Sequence, residues 1–167
     1  APGAARGIFC FIVILPTEVP AMLTELTVTG TKGLAGFDKW RVYSNTTQLP
    51  ALTNHPLCAG GLCLEKAVHG PMSVPRGGKW GSSLNTPIFK QVWAHVLSSG
   101  AWDQFEWTVK TEIDVAFLAA RLRMFLLSHP HDRPILAATD GYREARTHGP
   151  VEALTHSALA LLASGEL

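Results

Sequence analysis

Ile8-Phe9-Cys10-Phe11-Ile12-Val13-Ile14-Leu15-Pro16 is the longest apolar run in the chain. Its eight residues before Pro16 are far short of the roughly 20 that a helix needs to cross a bilayer. A run this short, dominated by β-branched and aromatic residues and stopped by proline, predicts a strand buried on both faces. The rest of the chain is read outward from it. Thr17 caps a short helix with Glu18 and Pro20 in its first turn and Met22, Leu23 and Leu26 on its inner face. Trp40–Ser44 is a second strand, Gln48–Gly61 a loop, Leu62–Val68 a third and weaker strand, and Gly70–Asn85 irregular. A helix opens at Asn85 or Thr86 with Pro87 at its first position and closes at Gly100. Its Ile88, Phe89, Val92, Trp93, Val96 and Leu97 recur at helical spacing and read as core. Phe105–Thr111 alternates as a strand, Ala119–Ser128 is helical, and Ile135–Ala138 and Val151–Leu154 are short strands. Thr155 caps a last helix, His156–Ala163, with Gly165 behind it. Strands that alternate with helices in this way predict an α/β fold, a mainly parallel sheet with helices on both faces. The length of 167 residues fits a single domain, 1–167, with 1–6 as an N-terminal extension.

Composition narrows the function. The formal net charge is +1 and the pI about 8.0, with 16% charged residues; a nucleic-acid binder ordinarily shows a pI above about 9 and clustered Lys and Arg. The chain carries no run of like charge and opens Ala1-Pro2-Gly3 without Met, as a processed or shortened start would. Of its three cysteines, Cys10 lies in the apolar strand. Cys58 and Cys63 flank Ala59-Gly60-Gly61-Leu62, a loop that allows a disulfide in an oxidising compartment. The Asn45-Thr46-Thr47 sequon suits the same setting. A secretory or organellar lumen is therefore favoured over cytosol.

Open parallel sheets bind ligands beyond the carboxyl ends of their strands. The Phe105–Thr111 strand runs out into Glu112-Ile113-Asp114. Two carboxylates two residues apart suit a hard cation such as Mn²⁺ or Mg²⁺; the same residues also suit a solvated or capping turn. Ser73–Thr86, with Arg76, Gly77-Gly78, Lys79, Trp80 and hydroxyls ahead of a helix start, suits phosphate held by backbone N–H groups or simply a structural loop. His148 and Glu152, either side of Gly149-Pro150-Val151, are acid–base or ligand candidates beside a turn. Neither a G-x-S-x-G elbow nor an H-E-x-x-H motif occurs.

These stretches together resemble one family. Phe105–Leu118 with Arg121-Leu122-Arg123 resembles the pattern D-W-x-V-K-x-D-x-D-x-x-F-x-x-x-R-L-R of glycosyltransferase-like proteins of unicellular algae, within the broad GT-A, DxD-containing class. Val42-Tyr43-Ser44-Asn45, Val74–Trp80 with Leu84-Asn85-Thr86, and His148–Glu152 resemble further segments of that family, in the same order. The resemblance covers roughly residues 7 to 165 and implies a Rossmann-like, GT-A-like fold with a nucleotide-sugar pocket. It implies a divalent metal, Mn²⁺ or Mg²⁺, on Glu112 and Asp114, with Arg76, Lys79 and Lys110 toward the donor phosphates and His148 and Glu152 toward the acceptor. Glu112 stands where the family has Asp, and Ile113 where it tends to have Pro. Related proteins continue past Gly165 with an acidic region on the acceptor side, so the resemblance also implies a fragment or a reused fold. Two functions follow as expectations: a metal-dependent glycosyltransferase-like domain that binds a nucleotide-sugar, or an inactive GT-A-like fold serving as an accessory subunit of a larger assembly, organellar or photosynthetic. A sugar-binding module would instead keep Trp80 or Trp102 on its surface.

Overall fold

The computed structural model describes residues 5–29, 33–79, 81–115, 118–138 and 150–166. The apolar run forms the strand β1 (Ala5–Val13), placed near the centre of a six-stranded sheet. Its side chains alternate between two cores, as a strand's period of two requires. Ile8, Cys10, Ile12 and Ile14 enter one cluster, while Phe9 and Phe11 enter the other. Burial on both faces is why the run shows no polar alternation.

β2 (Lys39–Ser44) pairs in parallel with β1 on one side and β3 (Leu64–Lys66) lies outside it. On the other side β1 pairs in parallel with β6 (Phe105–Thr111). β8 (Val151–Thr155) then runs antiparallel to β6, and the outermost strand β7 (Leu136–Ala138) antiparallel to β8. The spatial order is β3-β2-β1-β6-β8-β7. Among the described residues the sheet is mainly parallel, as expected, with one reversal: β8 alone opposes the direction of the other five strands. Apolarity and period are the same for a strand of either direction, so the sequence carried no signal for this reversal.

Helices cover both faces. Met22 of α1 (Val19–Thr24), Leu52 of α2 (Pro50–Thr53) and Leu126 of α4 (Ala119–Leu127) pack into the Ile8–Cys10 core. Ile88, Val92 and Val96 of α3 (Thr86–Ser99) and Ala158 and Leu159 of α5 (His156–Ser164) pack into the Phe9–Phe11 core. Two stretches read as loop hold more order than expected. Pro50 starts the single turn of α2, where its missing N–H costs nothing. Within Gly70–Asn85, β4 (Arg76–Gly77) and β5 (Ser82–Ser83) form a minimal antiparallel hairpin. Gly78 and Gly81 make its turn at φ values of 72° and 59°, which a side chain would strain. Cys58 and Cys63 are joined in a disulfide, and Cys10 is free and buried. Trp102 is buried and its indole N–H donates to the Leu97 carbonyl at 3.3 Å, so it offers no exposed ring to a sugar. Trp80 lies outside the described residues.

Candidate functional site

The chain passes from β1 to β2 and β3 on one side of the sheet and returns to β6 on the other. Strand order therefore reverses between β1 and β6, the position at which open α/β sheets bind ligands. A crevice of about 250 Å³ opens there. Val13 and Leu15 line it where β1 exits, Met72 and Val74 close one flank, and Ile88 and Phe89 of the first turns of α3 form another wall. Its polar lining is Glu112 and Asp114 at the exit of β6, Glu18, Ser83 and Asn85, the residue just before α3. The turn after β6 is closed by the Val115 N–H donating to the Glu112 carbonyl at 3.3 Å.

The expected acidic pair thus faces one crevice. Asp114 is exposed and Glu112 half-buried. Glu18 has a local task, since its Oε2 accepts the Leu15 N–H at 2.7 Å. Among the described residues, no Lys or Arg lines the crevice. Arg76 and Lys79 sit exposed on the β4–β5 hairpin, outside the lining, although Val74 and Ser83 of the same stretch belong to it. His148 lies outside the described residues.

Lys110 and Glu152 have a setting that neither motif announced. They are direct cross-strand partners on β6 and β8, both buried. Lys110 Nζ donates to Glu112 Oε1 at 2.6 Å, lies 3.7 Å from Glu152 Oε1, and sits 4.3 Å from the centroid of the Phe89 ring. A lysine only 2% exposed needs such partners, because an unpaired buried charge is strongly unfavourable. The ammonium thus sits behind the acidic turn and anchors one oxygen of Glu112. Glu152 is held inside the sheet, so it does not line the crevice.

A second polar group lies away from the crevice. Glu65 accepts from Arg41 Nε at 2.8 Å and lies 3.1 Å from His95 Nε2. The His95 ring meets Tyr43 edge-on at 5.3 Å. Burial, reinforced by the negative charge of Glu65, pushes the Tyr43 hydroxyl far above the usual phenol range. The group ties β2, β3 and α3 together through Arg41, Glu65 and His95.

The donor set of the crevice is all oxygen, which suits Mg²⁺ or Mn²⁺ rather than a soft metal. Among the described residues, no cluster of three His, Cys, Asp or Glu forms a metal cage. Mg²⁺ does not demand one, since it is commonly bound through one or two carboxylates plus substrate phosphates. Glu112 and Asp114 fit that pattern. No family model matches the chain, and no curated protein matches it.

Proposed function

We propose that the crevice is the donor site of a metal-dependent glycosyltransferase-like domain, with Glu112 and Asp114 holding Mn²⁺ or Mg²⁺ against the diphosphate of a nucleotide-sugar. The observation that carries this reading is the convergence of the acidic turn and the start of α3 on one crevice at the strand-order switch point. A helix start favours negative charge through its unpaired N–H groups and dipole. Glu18, Glu112 and Asp114 disfavour a bare phosphate, and Lys110 offsets only part of their charge from behind the turn, so a metal is the fitting intermediary for an anionic ligand. That metal supplies neutralisation of the charge that develops on the leaving diphosphate. Ser83 and Asn85 offer hydrogen bonds beside it, and Val13, Leu15, Ile88 and Phe89 give an apolar wall that excludes water from one side. The Cys58–Cys63 disulfide supports a lumenal, oxidising setting.

Calorimetric titration with UDP, with and without Mn²⁺, tests the reading beside a Glu112→Ala/Asp114→Ala variant whose fold is checked by circular dichroism. We expect binding that requires Mn²⁺ and that falls at least about tenfold in the variant, the loss of roughly one charge-assisted contact. A folded wild-type protein that binds UDP under neither condition removes the proposal.

One observation favours an accessory subunit instead. Leu118, Met124 and Phe125 of α4 and its approach are 50%, 69% and 53% exposed. Grouped exposed apolar side chains mark contact surfaces. Chemical cross-linking of the protein in its native membrane-associated or lumenal fraction, against Phe125→Glu, tests this second reading: loss of a defined cross-linked species supports it, and an unchanged pattern removes it.

A further inference from the structure

We infer that Lys110 is a positioning residue that makes cation binding at the acidic turn conditional on a diphosphate ligand. The inference deepens the donor-site reading and rests on it. The turn offers a cation two carboxylates, yet one of them already has a counter-charge. Lys110 Nζ is 2.6 Å from Glu112 Oε1. The ammonium is buried there: it projects from the sheet beside Phe89, 4.3 Å from the ring centroid, its cross-strand neighbour is Glu152, and the side chain is 2% exposed. A swing into solvent would take the ammonium away from both Glu112 and Glu152, which opposes its displacement by a second cation.

Two consequences follow. Glu112 is held with one oxygen committed to Lys110, so that carboxylate is aimed before any metal binds, and the ordering entropy of its side chain is already spent. In addition, a fixed positive charge beside a partly desolvated site repels a divalent cation far more than it would in water. A metal arriving alone meets a partly neutralised turn and is held weakly. A metal arriving with a diphosphate brings the missing negative charge, and both are retained. Glu152, its side chain 8% exposed, tunes the balance by taking up part of the lysine's charge.

The test is titration of Mn²⁺ at fixed neutral pH, with and without UDP, into wild type, Lys110→Met and Glu152→Gln, each checked by circular dichroism. Wild type is expected to bind Mn²⁺ at least about tenfold more tightly with UDP than without. Lys110→Met keeps most of the side-chain volume and removes the charge, so Mn²⁺ alone should bind about tenfold more tightly and the gain from UDP should shrink. Glu152→Gln leaves the lysine less neutralised and should shift the affinity for Mn²⁺ alone the opposite way, downward by several-fold. A merely structural lysine does not move the two variants in opposite directions. Weakened or unchanged binding in folded Lys110→Met overturns the inference; if that variant does not fold, unchanged or tighter Mn²⁺ binding by Glu152→Gln overturns it. Wild-type protein that binds Mn²⁺–UDP while the variants match it removes only the role of Lys110, whereas wild-type protein that binds neither removes the donor site itself.

Discussion

Asp38 shows how one side chain can join distant parts of this chain. Its Oδ2 accepts the buried Ile8 N–H at 2.7 Å, and its two oxygens take Arg123 of α4 in a fork at 2.6 and 2.7 Å. The Arg123 hydrogen bonds, and then the Ile8 N–H, hold the Asp38 carboxyl below the usual carboxylate range. Both partners are about a third exposed, so solvent screens the pair and the net contribution is about 1 kcal/mol. Asp38→Asn can still accept from Ile8, which isolates the charge. A carboxyl with a depressed folded pKa stabilises above its unfolded value near 4 and loses that contribution as pH falls through the folded value. Urea denaturation should therefore show the Asn variant about 1 kcal/mol weaker at pH 7 and the gap closing below about pH 4. A gap independent of pH would mean that the fork contributes through packing alone. The acidic turn was legible at this same scale, because alternation in Phe105–Thr111 fixes where the strand ends and so where Glu112 and Asp114 emerge. The burial of Lys110 was not. A lysine in an alternating strand reads as solvent-facing, and the residues that enclose it, Phe89 and Glu152, come from other parts of the chain.

Elements here are bounded by residues whose roles the sequence does announce. Gly100 closes α3 in the left-handed region at φ 64°, and Thr155 caps α5 by accepting the Ala158 N–H at 3.3 Å. The Thr155 hydroxyl does more than a cap requires. It also accepts the Ile135 N–H at 3.0 Å and donates to the Arg133 carbonyl at 3.0 Å, so it joins the approach to β7 with β8 and α5. Thr155 is fully buried. Thr155→Val keeps the shape and leaves those groups without a partner, at a cost of about 2 kcal/mol. Thermal unfolding should fall by roughly 4–8 °C for a domain of this size, and hydrogen exchange at Ile135 and Ala158 should rise more than at Val109 in β6. Equal change at all three would mean that the hydroxyl supports the whole fold rather than one edge. Cap chemistry and period made α3, β6 and α5 readable to within a residue or so. Direction in the sheet and the β4–β5 hairpin were not readable. The first depends on pairing across the sheet, and the second is held by only two paired positions, Arg76 with Ser83 and Gly77 with Ser82.

Across the whole molecule, the stability that burial provides is supplemented by one covalent closure. Two clusters packed on the faces of the sheet provide the apolar burial, and among the described residues no helix is long and apolar enough to cross a membrane. Cys58 and Cys63 belong to the cluster that also holds Ile8, Cys10 and Val42, and Val42 N–H donates to the Cys63 carbonyl at 2.6 Å. The bond therefore fastens a loop to the edge of the parallel strands. Its loop is short, with the cysteines five positions apart, and chain entropy alone then assigns it about 2 kcal/mol. A longer loop would give more, but only slowly, since closure entropy grows with the logarithm of length. Reduction should lower the unfolding midpoint by roughly 4–8 °C. Cys58→Ser/Cys63→Ser should lower it further, because two hydroxyls would replace sulfurs that are only 1% and 4% exposed. Thiol counting decides whether the bond forms in the protein as purified from its own compartment. Alkylation of the denatured, unreduced chain should modify one cysteine, Cys10, and alkylation after reduction all three. Three modified cysteines before reduction would remove both the disulfide and the oxidising lumen that it supports, while leaving the crevice and its acidic turn where they are.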